Sequence, residues 1–424
     1  MRKGILFSTG LVVLVSLFSS VKLLALERKQ KEDLYRQVEL FANALSIIQT
    51  DYVDETKPKE LIYGALKGML GSLDPHSQFL DPDTYNELKI DTEGKFGGIG
   101  IEITIQDGLL TVLTPIEDTP AWKAGIKAND RIVKINNELT RDFTLTDAVK
   151  KLRGKPGEPV NIVILRESEK KLLEFKIVRD IIKIKDIKEA CILEDGIAYI
   201  RLVEFRENTP HDLDTALANL KKTGMQALIL DLRNNPGGLL DVAVKVASKF
   251  IPQEKKVVYT KGRKKNQDLE FYAHNEKPIL DIPMVVLINS GSASGSEIVA
   301  ACLQDYKRAV ILGKKSFGKG SVQTVIPLGD GSALRLTTAK YFSPLDRQIH
   351  GLGINPDIIV EEIPPGPMQE DEKKKVDKSK EIFEELENQQ EPKKEQTFDY
   401  KADNQIMQAI GVLKALKIYS KQTK

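Results

Sequence analysis

The chain has 424 residues, 41% hydrophobic and 29% charged, a balance that suits two or three folded domains and excludes a wholly disordered protein. Its 63 Lys and Arg nearly cancel its 61 Asp and Glu, and a net charge of +2 gives no general electrostatic ground for a nucleic-acid partner. Cys191 and Cys302 lie far apart in separate apolar runs and read as small core residues rather than a disulfide.

In chain order, Arg2 and Lys3 precede an apolar run over residues 4–18, the layout of an export segment. Residues 1–26 are therefore a signal peptide or an N-terminal membrane anchor. The nearest cleavage candidate is Leu23-Leu24-Ala25, and the run through Leu26 is almost long enough to span a bilayer, so both alternatives stand. Either way the body of the protein is expected outside the cytoplasmic membrane, in the periplasm or on the membrane's outer face. Residues 27–95 have a helical pattern. Leu34, Val38, Phe41, Leu45 and Ile48 share one face, and Leu61, Leu66, Met69 and Leu70 continue it after a break over 51–58. Such a stripe needs a partner surface, either the rest of the chain or a second subunit. LDPHSQFLDP, residues 73–82, is a turn-rich junction.

Residues 96–180 form a small β-rich unit. It opens on FGGIGIEI, alternates through Leu110, Val112 and Leu113, and includes the helix-like PAWKAGI. A strand (RIVKINN), a helix around 145–152 and a strand over 160–165 follow. With its AGIKANDRIVKINN stretch, this unit resembles a PDZ domain. The resemblance implies that the loop Gly97-Gly98-Ile99-Gly100-Ile101 offers amides to a peptide's terminal carboxylate, and that the peptide adds as a strand to the sheet edge.

Residues 181–365 alternate strand and helix, the pattern of an α/β layered core. Strands are predicted over 197–205, 227–232, 284–288 and 309–312, and helices over 210–222, 239–250 and 297–306. The basic insert KKVVYTKGRKK, residues 255–265, reads as an exposed hairpin. Within 366–424, a Glu/Lys/Asp/Gln-rich linker leads to a terminal helix with an apolar stripe at Ile406, Ile410, Leu413 and Leu416. A terminal amphipathic helix of this kind docks on something.

Three stretches of the core carry chemistry. Ser290, Ser292, Ser294 and Ser296 alternate with Gly and Ala between a strand and a helix. That geometry projects a hydroxyl and leaves amides for an oxyanion. Lys319 sits in FGKG, where glycines let the backbone bend. DLRNNPGGLL, residues 231–240, places a Pro-Gly-Gly turn at a strand's C-terminal end, where sites in open α/β folds gather. One of these serines is read as a nucleophile with Lys319 as its base.

DLRNNPGG, GSASGSEIVA, KSFGKGSVQ and QIHGLGINPD (348–357), together with LDPHSQFLDP and the PDZ unit ahead of the core, resemble the carboxyl-terminal processing (tail-specific) peptidase family. The resemblance implies a crotonase/ClpP-like layered protease core, a preceding PDZ domain and helical N- and C-terminal regions. Carried over residue by residue, it makes Ser294 the nucleophile, Lys319 the base and Gln323 the lysine's hydrogen-bond partner. The backbone amides of Gly295 and of the Gly237-Gly238 turn would form the oxyanion hole. Gly295 stands where many members have alanine, a difference without effect on a backbone amide. Arg153, at the end of the PDZ helix, matches an arginine that couples peptide binding to the catalytic site in regulated members, or is a solvated surface residue. No metal or organic cofactor is implied.

A serine hydroxyl needs a base, and a lysine can act as one only when neutral. Lowering an amine from about 10.4 to near 7 costs about 4–5 kcal/mol, which burial can impose. A neutral glutamine positions such an amine without stabilising its charge. The spacing of Ser294 and Glu297 is also that of a helix capping box, which leaves Glu297 between a structural cap and a supporting site residue. A histidine base would have to come from His76, His211, His274 or His350, none in a stretch that resembles a base position, and His350 reads as structural. The expected activity is that of an exported serine endopeptidase on protein substrates with unstructured, apolar C-terminal tails. A homodimer or higher homo-oligomer paired through the terminal helices is expected, with membrane contact through the N-terminal segment if uncleaved. Two rivals remain: a non-catalytic PDZ scaffold, which predicts a broken dyad, and an acyl-CoA-handling enzyme, which predicts neither PDZ unit nor serine–lysine pair.

Overall fold

The computed structural model describes residues 32–422 except 107, 117, 167–170 and 364–397. The expected export segment, 1–26, and nearly all of the charged linker lie outside the described residues. No helix among the described residues is long and apolar enough to cross a membrane.

The chain divides into two compact units. The smaller comprises the described residues up to 81 with 325–336. Its helices, 32–51 and Pro58–Gly71, are separated where the sequence predicts a break. The strand Gln78–Leu80 pairs antiparallel with residues 333–335. Tyr63 joins the two parts of the unit: its ring packs 4.7 Å from Phe79, and its hydroxyl donates to Asp330 at 2.7 Å. The 32–51 helix leaves Leu34, Val38, Phe41 and Ile48 exposed along one face.

The larger unit holds residues 82–324 and 337–424. Within it, the strands Ile101–Gln106, Leu109–Pro115, Arg131–Ile135, Pro159–Arg166 and Lys171–Val178 form an antiparallel sheet in that order. Alternation explains the packing: Val160, Ile162 and Ile164 point inward from one strand onto Ile99, Val112, Ile132 and Leu152. The helix Leu145–Leu152 starts in a capping box between Thr144 and Asp147. Arg153 is its C-cap and has extended backbone, so the helix stops there. Lys95–Gly98 and Asp180–Lys183, the chain's way into and out of this β-rich domain, pair antiparallel as a two-stranded stem.

The α/β core is built on a six-stranded sheet. Its order is Ile187–Ile192, Ile197–Leu202, Ala227–Asp231, Met284–Ile288, Val310–Gly313 and Ile358–Ile359, antiparallel at the first pair and parallel thereafter. Ala227–Asp231 and Met284–Ile288 are buried at every position, as central parallel strands covered on both faces must be. Helices Thr209–Lys222, Leu240–Ser248 and Gly295–Asp305 cover one face, and the terminal helix Asn404–Gln422 covers the other.

Two expectations are corrected. Residues 255–265 are not an exposed hairpin. Lys256–Gly262 is a strand between Glu270–Tyr272 and residues 339–342, with Val257 and Val258 fully buried. Its lysines mask an apolar strand at each end. The terminal helix does not offer its stripe to a second subunit, because Ile406, Ile410 and Leu413 pack on Tyr199, Ile229, Val285 and Leu287 of its own sheet. Asp403 caps this helix and pairs with Arg233 at 2.8 Å, which pins it down. Both cysteines are free, and burial pushes both thiols up.

Leu413 is fully buried against the sheet. Leu413→Ala should destabilise the core by about 2–5 kcal/mol, read from denaturant unfolding. A loss below about 0.5 kcal/mol, the range of surface substitutions, would mean that the helix is not docked there.

Candidate active site

Three loops meet at the C-terminal ends of the parallel strands. The first follows Met284–Ile288. Asn289 accepts the amides of Asn234 and Gly291 on its Oδ1, and its side-chain amide donates to Asn234 at 3.0 Å. Of the four serines, Ser290 is exposed. Ser292 is buried and donates to the Leu232 carbonyl at 2.7 Å, and Ser296 is buried and donates to the Asn235 carbonyl at 2.9 Å. Ser294, half-buried, stands at the N-cap of Gly295–Asp305 with φ 52° and ψ −112°. A non-glycine residue in so sparsely populated a region costs on the order of 1–3 kcal/mol and is held only where its surroundings over-determine it.

The second loop, residues 314–320, carries Lys319. Its backbone is gripped from three sides. The Lys319 amide donates to Glu297 at 2.8 Å, its carbonyl accepts from the Tyr341 hydroxyl, and Gly318 accepts from the Gly351 amide at 2.8 Å. This is the work of QIHGLGINPD: Gly320 packs so tightly on His350 that a Cβ there would lie 2.3 Å from the His350 nitrogen, and Ser316 exchanges bonds with Ile354. His350 thus supports the lysine loop through its backbone. Lys319 itself is half-buried. Gln323 lies on the next strand, Ser321–Pro327, where its side-chain amide donates to Ser321 Oγ at 2.9 Å.

The third loop is the Pro-Gly-Gly turn after Ala227–Asp231. Asn235, fully buried, organises it: its Nδ2 donates to Leu202, its Oδ1 accepts the Gly237 amide at 2.9 Å, and its carbonyl takes both the Ala293 amide and Ser296 Oγ. Gly237 has φ +103°, and a Cβ on it would lie 2.6 Å from Ser294 Cβ and 2.7 Å from the Gly295 nitrogen. This turn therefore lies flush against the serine. The Gly237 amide, expected in the oxyanion hole, is already bonded to Asn235. Among the described residues, the amides of Gly238, which is exposed, and of Gly295 have no acceptor. Phe205 backs the turn by bonding Gly237 and Leu239 through its backbone and placing its ring 3.2 Å from where a Gly295 Cβ would be.

Tyr341 has no sequence signal. It sits in an ordinary alternating strand, yet the residue is 1% exposed and its hydroxyl donates to the Lys319 carbonyl. Burial, then the Glu297 charge, pushes it well above the usual tyrosine range. Asn235 and Phe205 were also missed. Two asparagines before Pro-Gly mark a turn that needs side-chain bonds, but nothing marks the phenylalanine.

In the β-rich domain, Ile101–Gln106 is an edge strand, paired on one side only among the described residues. A cavity of about 80 Å³ opens at its start, lined by Phe96, Ile99, Ile101, Ile103, Val149 and Leu152. Gly98, Gly100 and Arg153 complete its wall. The amides of Ile99 and Gly100 have no acceptor among the described residues. Gly97 stands apart, paired with Ile181 in the stem. Arg153 is half-buried with its guanidinium 4.5 Å over the Phe96 ring, so it is not a solvated surface arginine.

Residues 196–360 match the peptidase family S41, residues 111–166 the PDZ domain, and residues 16–84 the N-terminal domain of the activating protease CtpB. The carboxy-terminal-processing protease of Bartonella bacilliformis is 43% identical over 365 residues, 85% of this chain and 83% of that protein. The carboxyl-terminal-processing protease of Picosynechococcus sp. is 35% identical over 77% of this chain and 84% of its own length. The carboxy-terminal processing protease CtpB of Bacillus subtilis is 35% identical over 80% of this chain and 71% of its own length.

Gly237→Ala drives a methyl into Ser294, so turnover of an unfolded protein reporter should fall by about 10²–10³, the scale of losing an oxyanion contact. Activity within threefold of the parent would show that the turn is not part of the site.

Proposed function

As the chain belongs to peptidase family S41, the carboxyl-terminal processing serine proteases, we propose that it cleaves polypeptides with a Ser294–Lys319 dyad. The observation that carries this reading is the convergence of three loops at one end of the parallel sheet. There a strained serine, a lysine whose peptide is held at both ends, and two amides without acceptors among the described residues come together. Glu297 accepts the amides of Ser294 and Lys319 on the same oxygen, so the two nitrogens lie within twice a hydrogen-bond length. A lysine side chain spans that gap.

Ser294 Oγ attacks the scissile carbonyl carbon as its proton passes to Lys319 Nζ. The developing oxyanion takes hydrogen bonds from Gly295 and Gly238. Collapse breaks the C–N bond, and the leaving amine takes the proton from Lys319. Water, deprotonated by Lys319, then attacks the acyl ester and releases a new carboxyl terminus with Ser294 restored. Gln323 Nε2 is engaged by Ser321, which leaves Oε1 to orient the lysine amine.

The PDZ domain selects the substrate. An unstructured tail adds along Ile101–Gln106, its terminal carboxylate meets the free amides of Ile99 and Gly100, and its last side chain enters the apolar cavity. Arg153, at the cavity wall, is placed to sense that occupancy. Residues 1–26 export the chain to the periplasm or the membrane's outer face and tether it if uncleaved. The exposed stripe of the 32–51 helix pairs with a second copy.

Ser294→Ala and Lys319→Ala should each reduce turnover to background while keeping the parent's melting temperature. Parent-like cleavage by either would sink the dyad. A reporter ending in apolar residues should be cut with a lower KM than one ending in Asp-Asp, and equal values would remove the tail-selecting role. Phe41→Glu should shift the purified protein towards monomer by light scattering. An unchanged mass would exclude this helix as the pairing surface.

A further inference from the structure

Glu297 is a fully buried carboxylate with more partners than a helix cap needs. A capping box asks of it one bond, to the amide of the N-cap residue, and it makes that bond to Ser294 at 2.9 Å. Its other three donors come from the lysine loop, 19 to 22 positions further along the chain. Oε1 accepts Ser316 Oγ at 2.6 Å and the Gly318 amide at 2.7 Å, while Oε2 accepts the Lys319 amide at 2.8 Å beside that of Ser294.

We propose that Glu297 is the positioning residue of the dyad. Its carboxylate fixes the separation of the Ser294 and Lys319 backbones, so that hydroxyl and amine meet without searching. This rests on the Ser294–Lys319 reading and adds to it a third residue that touches neither substrate nor reacting atoms.

Chemistry favours a carboxylate for this task. An ionised carboxyl is acceptor-only and can serve four donors, whereas a glutamine would turn an NH₂ towards N–H groups that need acceptors. Burial holds the Glu297 carboxyl above its ordinary range, and the bonds from Ser316, Gly318, Ser294 and Lys319 offset part of that rise. Charge-assisted bonds of this kind are about twice as strong as neutral ones. They act against the strain at Ser294. The Tyr341 hydroxyl completes the hold by taking the Lys319 carbonyl, so the lysine's two flanking peptide groups are gripped from opposite sides.

The test uses the full chain with Glu297→Gln, Glu297→Asp and Ser316→Ala. It measures kcat and KM on an unfolded reporter, labelling of Ser294 by a fluorophosphonate, and the melting temperature. Misplacement by an ångström costs about 100-fold, so Glu297→Gln should lower kcat by about that factor, slow labelling in parallel and leave KM within about threefold. Glu297→Asp keeps the charge and should recover about tenfold over Gln. A kcat within threefold of the parent in Glu297→Gln would overturn the proposal. So would equal losses in Asp and Gln that track a falling melting temperature. If Glu297→Gln does not fold, Ser316→Ala decides, because it removes one donor from Oε1. It should lower kcat by about tenfold at unchanged KM, and a parent-like kcat, or failure of this variant to fold as well, assigns Glu297 to structure alone. Activity in Ser294→Ala or Lys319→Ala would instead defeat the dyad reading. Both inactive beside a parent-like Glu297→Gln would defeat only this proposal.

Discussion

The site depends on one close approach: the Gly237 backbone lies against Ser294, with no room for a Cβ between them. That contact requires a glycine on one loop, and the other loop holds Ser294 at φ 52°. Strain of about 1–3 kcal/mol at Ser294 must be outweighed by neighbours that cannot move. The bonds of Asn235 to Gly237, Ala293 and Ser296, and of Ser292 to Leu232, each contribute about 0.5–1.5 kcal/mol. Together, at about 2–6 kcal/mol, they match or exceed the strain. Serine in this turn has two uses, since buried hydroxyls on either side of Ser294 lock the loop that presents it.

Behind the sheet, a second buried network holds the same turn. Asp231 ends a central strand, is fully buried, and accepts from Tyr199 and from both the backbone and guanidinium of Arg233. Arg233 then reaches Asp403 and Gln405 at the start of the terminal helix. Removing one partner of such a group leaves an uncompensated buried charge, at about 3–5 kcal/mol. The helix that covers the back of the core is thereby fastened to the segment that, four residues later, becomes Gly237. A terminal extension that could be mistaken for an accessory is part of the foundation of the Pro-Gly-Gly turn.

Much of this was legible in sequence because it follows local rules. Buried parallel strands are continuous apolar runs, and Met284–Ile288 was bounded correctly from that alone. Glycine and proline announced all three loops. What remained hidden were pairings between distant segments. The Gly237 amide looks available until Asn235 is seen to take it, and Lys256–Gly262 looks like an exposed hairpin until two neighbouring strands cover its valines. The terminal helix showed its stripe but not its partner. Glu297 could be recognised as a cap from its spacing, but three of its four bonds come from a loop that no periodicity connects to it.

The same reasoning explains how the β-rich domain and the catalytic core are joined. Phe205 and Arg206 are adjacent in sequence and look in opposite directions. The Phe205 backbone bonds both sides of the Gly237-Gly238 turn, and its ring abuts Gly295. The Arg206 guanidinium bonds the Asp91 carbonyl at the end of the helix Pro82–Glu93, and its side chain occupies the space beside Gly94, the residue before the stem strand Lys95–Gly98. Asp186 and Glu204 neutralise that guanidinium, and Asp186 also holds Thr209 at the head of the next helix. One peptide bond therefore separates the base of the PDZ domain from the residue packed against the Gly237-Gly238 turn and Gly295. Phe96, on the same stem, lines the apolar cavity of the PDZ domain and carries Arg153 on its ring. Packed side chains and paired backbone lead from the cavity through the stem and Arg206 to the Pro-Gly-Gly turn.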